Sequence, residues 1–472
     1  MVLVDFPSIV KHYAPYFEDC FSPAGYEHFK KAVSGFMISE NKTLEAINRL
    51  FVNNSRHQAS FNKFFNRQDF DLTKVHANRI AMLQCKTATK FKFGKGKGVV
   101  SLDNSLLKHY GKCFDNIYYH YDYVHKCYRW AHDLVTLYYS DDQTDYPIDY
   151  QLWEPPDWEK VALFFKEQGL EIKEEKWEHR YEEPQKWRNY IRGRYKTGRV
   201  KFPKVVDIYK TKLHIGERLL REFCQQHPDK DFPVALDSGY TSAELCQIIK
   251  QDLGKDYVGA LTEGQAIFVK GEKVLLKDFV KSIRADYAGN KEKFTIQKTS
   301  YHYRGAKKAA YVYFANHKIS GFKKKQRLVI SFLKEDLSSK PIFSITNRLD
   351  WYPSGILRIR RHRWPVETYH QEGKVEGLEK YQVRNDKAIQ TYIALVVVTF
   401  SMLKCTVHDD DLLSSIQQRL QTELDSTLPF LRRLMKAEGL LNLMEFILEQ
   451  INQGKLLHQI FPPLAKRIAY TQ

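Results

Sequence analysis

Two short apolar runs, each closed by an aspartate, constrain this chain more than any other feature. Val99-Val100-Ser101-Leu102-Asp103 and Phe232-Pro233-Val234-Ala235-Leu236-Asp237 read as short strands. Turn formers, Ser238-Gly239-Tyr240, follow the second. In open α/β sheets, sites sit beyond the carboxyl ends of strands. A third stretch, RRHRWPVETYHQEGKVEGLEKYQVR from Arg360 to Arg384, reads as a helix. Its Arg363, Glu367, His370 and Lys374 recur at four, three and four residues, so they share one face. Trp364, Val366, Leu378 and Tyr381 supply apolar surface elsewhere on it. Alone, such a face is more often a solvated helix face laced with weak ion pairs. Two strand-end aspartates and one helical glutamate would make an oxygen-rich cage of the kind that Mg²⁺ or Mn²⁺ prefers.

Charge points to the partner. Lysine and arginine number 74 against 56 acids, a net charge of +18 over 472 residues. An excess this large favours a polyanion, nucleic acid above all. With 29 Tyr and 29 Phe the chain is globular and not a basic disordered tail. Seven cysteines are scattered without a C-x-x-C pair, which argues against a zinc ribbon or redox motif and suits a reducing cytosol. No signal peptide is evident. The longest apolar run, residues 392–400, is too short for a bilayer and reads as a buried helix. The segment Lys90-Phe91-Lys92-Phe93-Gly94-Lys95-Gly96-Lys97-Gly98 lacks the spacing and Ser/Thr of a phosphate-binding loop, so no nucleotide cofactor is expected.

Arg363, Glu367 and Lys374 match R-x3-E-x6-K, and the chain therefore resembles the DDE transposases of bacterial insertion sequences, the insertion-sequence-four group and its relatives. Ala235-Leu236-Asp237-Ser238-Gly239-Tyr240 resembles that family's second-aspartate motif. Ser101-Leu102-Asp103-Asn104-Ser105, with Lys108, resembles its first. The likeness covers roughly residues 95 to 400. Arg360 stands where the family carries tyrosine, and Asn104 where relatives often carry a second acid. The resemblance implies an RNase H-like catalytic core, with Asp103, Asp237 and Glu367 as catalytic residues holding two Mg²⁺ (or Mn²⁺) ions per active site. It implies that Arg363 and Lys374 steady phosphates beside them, with Arg360, His370 and Lys108 as further candidates for DNA contact. It also implies that Trp351 stacks on a flipped base; a core Trp fits the residues as well.

In chain order, five parts are expected. Residues 1–92 are helical, with Arg56, His57, Asn62, Lys63 and Arg67 clustered around a polar turn, which suits a DNA-reading module or an ordinary bundle with exposed cations. Residues 93–263 hold the first part of the core, including a strand at 129–139 paired with 148–153. His132-Asp133 reads as a hydrogen-bonded strand pair and not as acid/base machinery. Within this part, 154–203 is a charged helical excursion whose Arg192, Arg194, Lys196 and Arg199 suit phosphates or a solvated face. Residues 264–345 alternate as a β-rich insertion, with runs at 266–269, 293–296, 309–314 and 328–332 and a basic edge at Arg304, Lys307, Lys308 and 323–327. Residues 346–400 complete the core with the glutamate helix. Residues 401–472 are helical and leucine-rich, for packing on the core or on a second subunit. The fold class is thus α/β: a mixed sheet with helices, interrupted by a β-rich insertion and flanked by helical domains.

The resemblance implies DNA transposition: metal-dependent 3′-strand cleavage at the element's terminal inverted repeats and strand transfer into double-stranded target DNA. A homodimer on DNA, in the bacterial cytoplasm beside the nucleoid, is expected. Two rivals are a domesticated, catalytically dead DNA-binding protein and an RNase H-like nuclease without strand transfer.

Overall fold

The computed structural model describes residues 2–52, 58–87, 98–169, 172–178, 186, 189–190, 193, 210–289, 296–422 and 427–468. Five helices come first: α1 (Ser8–Tyr13), α2 (Pro23–Ile38), α3 (Leu44–Arg49), α4 (Gln58–Arg67) and α5 (Leu72–Lys86). Then come β1 (Val99–Lys108), β2 (Tyr118–Asp122), β3 (Cys127–Ser140), β4 (Asp145–Trp153), α6 (Trp158–Glu167) and α7 (Glu174–Glu178). Next are α8 (Lys212–Gln226), β5 (Val234–Leu236), α9 (Ala243–Gln251), β6 (Tyr257–Leu261), β7 (Ala266–Val269), β8 (Glu272–Leu275) and α10 (Leu276–Gly289). They are followed by β9 (Gln297–Tyr303), β10 (Ala306–Ile319), β11 (Gln326–Phe332), β12 (Ile342–Thr346), α11 (Pro353–Arg361) and α12 (Trp364–Glu376). The last are α13 (Asp386–Thr406), α14 (Asp410–Leu420), α15 (Leu428–Asn452) and α16 (Leu457–Ile468). Two compact units divide the chain: one of residues 1–90, 107–132 and 369–472, the other of 91–106 and 133–368.

The second unit is built on a mixed sheet with strand order β3-β1-β5-β6-β12-β11-β10-β7-β8, β4 pairing with β3 and β9 with β10. β5 is parallel to β1, Leu102 opposite Leu236, and parallel to β6, Leu236 opposite Gly259. Every β5 residue is buried, as expected of a strand flanked by parallel neighbours and covered by helices. From β6 onward the pairing is antiparallel, β12 joining β6 to β11. The expected β-rich insertion is therefore a continuation of the core sheet and not an appended module. It also contains α10, which the alternation of its flanking runs did not announce. α11 buries Ile356, Leu357 and Ile359 among Val99, Ala235, Val258 and Val329, so it lies directly on the strands that carry the aspartates.

The first unit is helical apart from the β2–β3 hairpin. Its centre is α13, 21 residues capped by the Asn385 side chain, which accepts from the Ala388 N–H at 2.8 Å. The expected apolar run is only its middle. By length and composition the whole helix is long and apolar enough to cross a membrane, yet it is buried all round against α2, α4 and α5. Hence the amino- and carboxy-terminal helices, expected as separate domains, share one core. Leu412, Leu413, Ile416, Leu431 and Leu434 are buried in it, which leaves Leu440, Met444 and Leu448 exposed on α15.

The stretch expected as one helix from Arg360 is broken: α11 ends at Arg361 and α12 begins at Trp364. Pro365 explains the break, because its ring would clash with the Arg361 carbonyl inside a continuous helix, whereas the first turn of a new helix accepts it. His362 pins the break. It is fully buried, 3.0 Å from Ser140 Oγ and against the Tyr303 ring, and burial pushes it down to about 4, so it is neutral at pH 7. The basic loop with Arg192, Arg194, Lys196 and Arg199, most of the glycine-rich linker, Arg56, His57 and most of the run at 293–296 lie outside the described residues.

Gly259 is a close approach that holds the site. A Cβ there would stand 2.5 Å from Thr241 Cγ2, and Thr241 anchors the turn after β5. Gly259→Ala is expected to destabilise the protein by about 1–3 kcal/mol. Gly355→Ala, in open space on α11, is expected to be neutral or stabilising by up to about 1 kcal/mol. Thermal unfolding of both variants checks this; a Gly259→Ala midpoint at or above wild type would contradict it.

Candidate active site

The register of β1 and β5 sets the site. Leu102 and Leu236 are partners, so Asp103 and Asp237 take the next step on neighbouring parallel strands, roughly 4.8 Å apart along the backbone. The parallel pairing ends at Leu102, although β1 itself runs on to Lys108, so Asp103 lies within a strand and not at its end. Asp237 opens a turn: its Oδ1 accepts the Tyr240 N–H at 2.8 Å, and its carbonyl accepts from Thr241 N at 3.0 Å and Thr241 Oγ1 at 2.5 Å. Asp103 Oδ1 accepts the Asn104 N–H at 2.8 Å. Burial pushes the Asp103 carboxyl up to about 7, and the neighbouring Asp237 charge pushes the same way, against the pull of Arg363.

Arg363 joins the third acid to the pair. Its Nη1 donates to Asp103 Oδ2 at 3.2 Å and its Nη2 to Glu367 Oε1, one turn along α12. Burial works against the charge on Arg363, and Asp103 and Glu367 more than offset it. All four residues belong to the second unit. Behind them stands a group that sequence reading missed. Asn104 Nδ2 donates to Asp133 Oδ1 at 2.7 Å, and Asp133, wholly buried, lies 2.9 Å from Lys212 Nζ. Asp133 thus holds Asn104, whose backbone holds Asp103. The expectation that Asp133 makes a structural hydrogen bond is met, but its partner is Asn104. The Tyr240 hydroxyl is buried near the same acids, and burial, Asp133, Asp103 and Asp237 together raise it well above the ordinary phenol value. Nothing in sequence spacing links residues 104, 133, 212 and 240; only the sheet brings them together.

A family model described as DDE superfamily endonuclease matches residues 17–279, more than half of the chain and both aspartate strands. The chain belongs to the DDE superfamily endonucleases. A search of curated proteins finds no match. Among solved structures, a piggyBac transposase synaptic complex with hairpin DNA, determined by cryo-EM, is similar at 10% identity and a TM-score of 0.42. The match covers 99% of this chain and 81% of that one.

In this DDE superfamily endonuclease the remaining expected site residues are placed as follows. Arg360 donates to the Phe343 carbonyl at 2.9 Å and Ser344 Oγ at 3.1 Å, and burial, then Arg363, brings it down to about 10. That side chain braces α11 on β12 in this structure. Trp351 packs against the α11 core cluster, 5.4 Å from the Arg348 guanidinium, and its carbonyl accepts from Arg327 at 2.7 Å. Lys108, His370 and Lys374 belong to the first unit. There Lys108 pairs with Asp122 at 3.0 Å and Lys374 with Glu379 at 3.5 Å, while His370 is buried beside Tyr369. The end of α12 is tied down in the same unit by Arg432, which binds both Glu372 and Glu376. Burial pushes Glu376 up to about 7, opposed by Arg432 and Lys42.

Asp103, Asp237 and Glu367 fit a hard divalent cation in chemistry, as three carboxylates with the charge on Asp103 disfavoured by burial and then by Asp237. Among the described residues no three such side chains are gathered tightly enough to hold an ion as they stand. The cation bonded to two of them is Arg363, while the charge of Arg360 is also felt by Asp237 and Glu367. Arg363→Gln is therefore expected to lower the stability of the metal-free protein by about 3–5 kcal/mol, because it leaves two acids unpaired. Mn²⁺ should restore more stability to that variant than to wild type. Thermal unfolding with EDTA and with Mn²⁺ checks both arms; an unchanged metal-free midpoint would show that Arg363 does not hold the carboxylates.

Proposed function

We propose that this chain is a DNA transposase of the cut-and-paste kind, similar to the insertion-sequence-four group. It would cleave the 3′ strand at the terminal inverted repeats of its element and transfer the freed end into target DNA. The observation that carries this is the placing of Asp103 and Asp237 side by side on parallel strands, with Glu367 joined to them through one arginine. A net charge of +18 and the exposed lysines 323–325 suit a DNA partner.

Asp103, Asp237 and Glu367 would hold Mg²⁺ or Mn²⁺, two ions in such sites, which when bound supply Lewis-acid chemistry for in-line displacement at phosphorus. The chain's own residues do the rest. The Asp237 turn and the Asn104–Asp133–Lys212 group keep the two aspartates from turning away from each other. Arg363, once released by the two acids, stands beside the site as a planar donor pair suited to a phosphate. Trans-esterification exchanges one phosphodiester bond for another, so neither ATP nor a covalent protein–DNA intermediate is required. A homodimer would hold two ends, in a reducing cytoplasm beside the nucleoid.

Asp103→Asn, Asp237→Asn and Glu367→Gln are each expected to lower Mg²⁺-dependent cleavage of end DNA by at least about a thousandfold, several kcal/mol of barrier. Binding of the same DNA in a gel-shift assay should persist. Any one of them cleaving at a near wild-type rate removes that residue from the site. Cleavage without joined products in the wild type would favour the nuclease without strand transfer.

A further inference from the structure

The β2–β3 hairpin of the first unit is patterned inside out. On β2 the inward positions, Tyr118, His120 and Asp122, are buried, two of them polar. Asp122 is held there by Lys108 at 3.0 Å and His125 at 2.7 Å. The outward positions are aromatic. Tyr119 pairs across the strands with Trp130, and Tyr121 with Tyr128, so four rings occupy one face. Their centroids lie 5.1–5.3 Å apart from Tyr119 to Trp130, Tyr119 to Tyr128 and Tyr121 to Tyr128, with Tyr119 and Tyr128 stacked at 23°. Tyr123, 84% exposed at the tip, extends the row 5.0 Å beyond Tyr121, and Tyr128 is 38% exposed.

The solvent side of a sheet is ordinarily polar, and a contiguous aromatic face on it marks an interaction surface. Its surroundings indicate the partner. Lys112 and Lys126 are exposed, whereas Arg129 stands opposite His120 and lies 3.7 Å from Asp122. The acids of this segment are already engaged, Asp122 as above and Asp115 by the Asp386 N–H at 3.0 Å. Rings on a segment with exposed lysines suit a chain of π-faced, anionic units.

We propose that the outward face of this hairpin binds unpaired nucleotides of DNA by stacking. The proposal rests on reading the chain as a DNA-processing enzyme, and adds a site for single-stranded segments apart from the carboxylates. Stacking tolerates any base, so the face positions a displaced or melted strand without reading it.

The test is fluorescence anisotropy of a labelled oligothymidylate, and of a duplex of equal length, titrated with the full chain in EDTA. Tyr119→Leu/Tyr128→Leu is expected to weaken oligothymidylate binding on the order of tenfold, and the Phe/Phe counterpart to retain it, with duplex affinity unchanged in both. Tyr123→Ala, at an exposed tip with no part in the core, is expected to weaken it in the same direction and decides the matter if the double variant does not fold. Unchanged oligothymidylate binding in Tyr123→Ala and the double variant would overturn the proposal. So would an equal loss for duplex, or a dimer seen by light scattering that the Leu substitutions dissolve. Because no metal or cleavage enters the assay, a wild type that discriminates by stacking but never cleaves would count against the transposase reading alone.

Discussion

The burial of Asp103 beside Asp237, set next to it by the register of two parallel strands, is the constraint that this site has to meet. Two carboxylates so placed cannot both be charged at low cost unless a cation stands with them. In this structure the cation is Arg363, which also draws in Glu367. The break at His362–Arg363 places that guanidinium just ahead of α12. Pro365 forces the break, and buried, neutral His362 fixes its direction. The site is thus assembled by backbone register on one side and by a helix break on the other.

Much of this was legible in the sequence, and what escaped has physical causes. β5 and the start of β1 are visible because a short apolar run beside turn formers has few other uses. Glu367 and Arg363 are visible because i and i+4 share a helix face whether or not the helix continues upstream. The break is hidden by a helical periodicity that runs on beyond it, with Pro365 as its one mark. α10 was missed because its neighbours alternate with period two. Asp133 and Lys212 carry no local mark, and their bond to Asn104 is a product of strand order. Nor could sequence show that α13 gathers the terminal helices into one core, since an apolar helix does not name what buries it. Arg360 looked free for DNA in sequence; its bonds to β12 come from packing between α11 and the sheet.

The β2–β3 hairpin shows the reverse case. Its tyrosines read as ordinary strand formers, because strand propensity and outward exposure use the same residues. Only the pairing of Tyr119 with Trp130 and of Tyr121 with Tyr128 shows that the aromatic face is the one turned away from the core.

On the proposed function, Arg363 occupies by charge a place that a divalent cation would take. Anomalous scattering from crystals of the wild-type protein equilibrated with Mn²⁺ tests it most directly. A manganese peak beside Asp103 and Asp237 is expected, with Arg363 withdrawn from Asp103. Saturating Mn²⁺ with no peak there, and Arg363 still bonded to both Asp103 and Glu367, would contradict it.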